Sequence, residues 1–62
     1  MRSFNKDEIR QKLISFIDEM NSIGVKVDRM NLVSFSIGYF GTLDRRTYNI
    51  IQDLALSRLI EW

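Results

Sequence analysis

The sequence predicts one all-α domain of three helices in a helix-turn-helix arrangement, leaving room for a minimal two-strand element between Val25–Val27 and Leu59–Trp62. Three observations carry this. Three segments repeat apolar residues at helical spacing, and each follows an Asn or Asp suited to cap a helix N-terminus: Asn5, Asp28 and Asp44. Gly24 and Gly41 stand just beyond the first two segments, where a left-handed residue ends a helix. The chain contains no proline to break a helix, and its 62 residues make one domain at most.

The first helix is expected at about residues 6–23. Asn5 with Glu8 three residues on has the form of a capping box, and Phe4 and Ile9 occupy the staple positions around it. Asp7 and Glu8 suit the positive end of the helix dipole. Ile9, Leu13, Phe16, Met20 and Ile23 recur at helical spacing, with Ile17 on the flank.

Val25-Lys26-Val27 alternates and is β-branched, which suits a short extended stretch. The second helix is expected at 29–40. Leu32, Val33, Ser36, Ile37 and Phe40 share one face, and Phe35 and Tyr39 lie beside it. Its β-branched and aromatic content makes a buried strand a rival. Length favours the helix, because twelve residues without a turn signal is long for a strand.

After Thr42-Leu43, Asp44 opens a third helix expected at 45–57. Tyr48, Ile51, Leu54 and Ala55 fall on one arc of the wheel. Arg45, Asn49, Gln52 and Asp53 fall on the other, with Arg46 at its edge.

Composition excludes several classes of function. Histidine and cysteine are absent, so there is no disulfide, no thiol nucleophile and no strong metal ligand beyond carboxylates. No glycine-rich phosphate loop occurs. Asp7-Glu8 and Asp18-Glu19 are adjacent pairs whose side chains point apart on a helix, so they read as solvated faces and not as an acid/base pair. No enzymatic activity, cofactor, metal or small-molecule substrate is expected. The polar start lacks the apolar core of a signal peptide, and no stretch approaches the ~20 apolar residues of a membrane helix. A cytoplasmic protein is expected. Nine basic and eight acidic residues give a net charge of +1, so any nucleic-acid contact must come from local placement of charge.

That placement is found between residues 28 and 62. A helix ends at Gly41, a short turn follows, and a capped helix opens with Arg45-Arg46. In a helix-turn-helix the second helix enters the major groove. Arginine can bond guanine O6 and N7 together, and asparagine or glutamine can do the same for adenine. Arg45, Arg46, Thr47, Asn49 and Gln52 are the candidate residues for double-stranded DNA, with Thr47 and the first backbone N–H groups placed for phosphates. Asp53 on the same face opposes phosphate contact.

Tyr39-Phe40-Gly41-Thr42-Leu43-Asp44-Arg45-Arg46-Thr47-Tyr48, with Leu54 and then Leu59-Ile60-Glu61, resembles winged helix-turn-helix proteins. That superfamily commonly shows F-G-x-S/D-x-R-T, then leucines, then G-L-I-E, and many small proteins of archaea and their viruses carry it. The resemblance covers roughly residues 25–62. It implies a first strand at Val25–Val27, a recognition helix from Arg45 to Ser57, and a role in transcription regulation. Arg58 replaces the usual glycine, the interval after Thr47 is about one residue short, and the sequence stops at Trp62, so a domain without the wing hairpin is expected.

Two functions follow. One is a DNA-reading regulator acting as a homodimer, which would set two recognition helices about one DNA turn apart. The other is a protein-interaction subunit, such as a small accessory subunit of a replication or transcription complex. Its interface candidates are Phe35, Tyr39, Leu56 and Trp62, because aromatic residues are enriched at interface cores.

Overall fold

Three helices follow one another in the computed structural model, which describes residues 4–57 and Ile60: α1 (Lys6–Ser22), α2 (Arg29–Phe40) and α3 (Arg45–Leu56). The class is all-α. Capping sets each boundary. The Glu8 N–H donates to Asn5 Oδ1 at 2.8 Å, and the Asn5 N–H returns a bond to Glu8 Oε1 at 3.4 Å. A second reciprocal box opens α2: the Asn31 N–H donates to Asp28 Oδ1 at 2.8 Å and the Asp28 N–H to Asn31 Oδ1 at 3.1 Å. A cap of this kind is worth about 1 kcal/mol.

α1 ends one residue earlier than the pattern suggested, with Ile23 as its cap residue and Gly24 left-handed at φ 81°. The Val25 N–H reaches back to the Met20 carbonyl at 2.8 Å and the Gly24 N–H to that of Asn21 at 3.0 Å, the paired closure that satisfies two last-turn carbonyls. Gly41 ends α2 at φ 84°, its N–H on the Ile37 carbonyl at 3.1 Å. The helical reading of 29–40 therefore holds against the strand.

α3 is the central element. It packs against both α1 and α2, whose own backbones approach each other far less. The core joins Ile9, Leu13 and Ile17 of α1, Val27, Leu32 of α2, Ile50, Ile51 and Leu54 of α3, and Ile60. Two expected faces are corrected here. On α1 the buried line is Ile9–Leu13–Ile17, while Phe16 and Met20 are partly buried and Ile23 is 69% exposed. On α3 the buried arc is turned by one residue, to Thr47, Ile50, Ile51 and Leu54, with Tyr48 and Ala55 at its margins.

Where the α1 and α2 backbones stand apart, rings fill the space. Phe16 stacks on Phe35 at 4.3 Å between centroids, and Phe35 stacks on Tyr39 at 5.5 Å. Phe4 meets Phe40 edge-on at 4.9 Å. Such pairs contribute about 0.5–1.5 kcal/mol beyond the area they bury. Lys12 sets its Nζ 4.8 Å from the Tyr39 ring centroid.

The expected two-strand element is not formed at Val25–Val27, which has no regular secondary structure; among the described residues Asp28 carries an isolated bridge. Val27 turns into the core. Of the expected partner segment, Ile60 is buried, and Leu59, Glu61 and Trp62 lie outside the described residues. Among the described residues no helix is long and apolar enough to cross a membrane.

Candidate nucleic-acid interface on α3

The site begins with Asp44. Its Oδ1 accepts the Thr47 N–H at 2.9 Å and so fixes the first turn of α3. That backbone bond, helped by the Thr47 hydroxyl and more weakly by Arg46, holds the Asp44 carboxyl below its ordinary value. Its Oδ2 accepts from Arg46 Nη2 at 3.4 Å. Both side chains of this pair are nearly half exposed, so the pair contributes at most about 1 kcal/mol.

Arg45, Asn49, Gln52 and Leu56 are all exposed and form a stripe along the outside of α3. At about 100° per residue they fall within roughly 60° of arc. From Arg45 to Gln52 the stripe runs roughly 10 Å, the length of about three base-pair steps. Arg46 and Asp53 line one flank of it. Asp53 Oδ2 accepts from Arg10 Nη2 of α1 at 3.2 Å. The negative charge that would repel phosphate is thereby paired with a positive one brought from 43 residues away.

The candidates thus sort themselves. Arg45, Arg46, Asn49 and Gln52 come together on one surface. Thr47 does not: it is 2% exposed, with its N–H taken by Asp44, so it is withdrawn from any surface partner. Its spacing to Ile51 and Leu54 was the available sign of burial.

The interface candidates separate as well. Phe35 is half-buried within the ring stack, and Tyr39 is 48% exposed at its outer end. Leu56 is 82% exposed but belongs to the α3 stripe. Trp62 lies outside the described residues. Phe4, Glu8, Gln11, Lys12, Tyr39 and Phe40 border an open groove of about 340 Å³ together with Ser15. The Tyr39 ring is engaged there by both Phe35, which stacks on it, and the Lys12 ammonium.

Arg10 and Lys12 are the contributors that the sequence pattern did not single out. Phe4 was read as a staple residue and Phe16 as part of the helical repeat, but their ring contacts with α2 were not foreseen. The Arg10–Asp53 pairing had none, since nothing local links positions so far apart. Set against known proteins, the chain matches no family model, no curated protein and no solved structure.

Proposed function

We propose that this protein is a helix-turn-helix DNA-binding protein that presents α3 to the major groove, regulates transcription and acts as a homodimer. The observation that carries the reading is the Arg45–Asn49–Gln52 stripe. It stands on a capped helix held from behind by both other helices. A reading helix needs firm support and side chains that can bond two atoms of a base edge together; the Asp44 cap and packing on both other helices favour the first, and Arg45, Asn49 and Gln52 the second. The proposal includes a pair of copies because one unit of three helices would make few contacts with DNA.

The test is fluorescence anisotropy of labelled duplex DNA across a salt series. A micromolar or tighter Kd that weakens with salt is expected, and the slope counts the phosphates neutralised. Replacing Arg45 and Arg46 together by alanine should remove most of this affinity and leave thermal unfolding unchanged. Equal affinity in that double variant would end the proposal.

A second reading rests on a separate observation. Leu56 is 82% exposed and Ile37 50% exposed, which suits a non-enzymatic subunit that docks on a larger protein. Leu56→Gln and Ile37→Gln should then abolish recovery of a partner from lysate without altering the fold. Recovery by both variants would remove this reading.

A further inference from the structure

Two ion pairs divide the charged residues of α3 into those held by the chain and one that is not. Arg46 is drawn to Asp44, whose own carboxylate is pinned in place by the Thr47 N–H. Asp53 is drawn to Arg10. The Arg45 side chain makes no hydrogen bond or ion pair among the described residues. It also lies on the centre line of the exposed stripe, one and two turns before Asn49 and Gln52, whereas both paired positions lie on its flank.

On the reading of α3 as a DNA-facing helix, we infer that Arg45 is the specificity-determining residue and that it reads a guanine, while Arg46 contributes charge without sequence preference. The two arginines are neighbours in the chain, but their surroundings differ. A guanidinium already bonded to a capping carboxylate has part of its donor fork occupied. The fixed Asp44 charge beside it also lowers its attraction for phosphate. The Arg45 fork keeps all its donors for the paired O6 and N7 acceptors of guanine. Asn49 and Gln52 are uncharged and can bond adenine on the following steps. Local charge on the presented surface is small, because Asp44 and Asp53 each meet one arginine. Binding that depends on base edges more than on phosphates follows from this. A shallow salt slope is therefore expected beside a strong sequence preference.

Selection from a randomised duplex pool tests this with three proteins: the natural chain, Arg45→Ala and Arg46→Ala. The natural chain should enrich a short site containing an invariant guanine. Arg45→Ala should lose preference at that position alone, binding the guanine site about tenfold or more weakly while other positions keep theirs. Arg46→Ala should enrich the same site, with a similar loss of affinity for every duplex. Retention of the guanine by Arg45→Ala overturns the assignment and leaves DNA binding standing. Retention of duplex by the natural chain without any enrichment also overturns it. Failure of the natural chain to retain any duplex overturns both the assignment and the proposed function.

Discussion

α2 and α3 are both twelve residues long, and they handle their side chains in opposite ways. α3 buries one clean arc of Thr47, Ile50, Ile51 and Leu54 and turns Arg45, Arg46, Asn49, Gln52 and Asp53 outward. α2 buries only Leu32 and Ser36 completely, and it leaves Met30, Ile37 and Tyr39 about half exposed or more. An amphipathic helix can be both the centre of a core and a polar surface. A helix that is apolar all round must find cover elsewhere or remain partly uncovered. Part of that cover comes from the rings of Phe4 and Phe16 on the α1 side. In this molecule the directional chemistry and the packing centre therefore share one element, and the second helix supplies an adhesive surface of rings.

The contrast can be broken most severely at Ile51. This side chain is fully buried at the centre of the core, and truncation of such a residue to alanine costs about 2–5 kcal/mol. A domain of this size has a total stability of roughly 3–9 kcal/mol, so Ile51→Ala should unfold a measurable fraction at room temperature. Chemical denaturation monitored by circular dichroism would show it; a midpoint unchanged from the natural chain would refute the central role of α3.

The next effect concerns the cap. Asp44→Ala should cost about 1 kcal/mol through loss of the bond to the Thr47 N–H. The bond also sets a pH window. Because the folded carboxyl titrates below its usual 3.8, its stabilising contribution is complete above that value and is lost as pH falls through the lower folded value. Asp44→Asn keeps an acceptor without the charge, and its stability should vary less with pH between 2 and 5. Identical acid titrations of the two chains would refute this.

Smaller effects, of opposite sign, are expected on α2. Ser36 is fully buried and its Oγ has no hydrogen-bond partner among the described residues. Removing a buried hydroxyl that bonds nothing relieves its desolvation cost, so Ser36→Ala should raise stability by up to about 1 kcal/mol. Gly38 sits inside α2 with nothing within 4 Å of where a Cβ would stand. Gly38→Ala should add about 0.5–1 kcal/mol through helix propensity alone. Thermal unfolding of both variants would sharpen the comparison: a loss of stability in either would mean that α2 is packed more tightly than its exposure suggests.

How far these features could be read beforehand follows the range of the interaction behind them. The bounds of α2 were legible to the residue because Asp28 and Gly41 act within one turn of the positions they cap. The start of α3 was legible from Asp44 for the same reason, whereas its end falls at Leu56, one residue before the expected Ser57. Which face of α1 would be buried was not legible, because α1 has two neighbours. Ile9, Leu13 and Ile17 join the common core, and Phe16 reaches instead to Phe35. A helical wheel merges those two directions into one apolar stripe. Of the candidate site, Arg45, Arg46, Asn49 and Gln52 were legible from spacing. The burial of Thr47 was missed because a threonine in a first turn suits both a surface and a core. The neutralisation of Asp53 by Arg10 depends on how α1 lies on α3, which no local pattern encodes.

The central position of α3 also bears on how the protein is made. Until residues 45–56 have left the ribosome, α1 and α2 lack the surface on which both come to rest. Partly made chains would then carry exposed apolar side chains for the time needed to synthesise the last of these residues, the condition in which nascent chains associate wrongly or recruit chaperones. Emergence of the third helix closes that interval, because α1 and α2 then have the surface on which both pack.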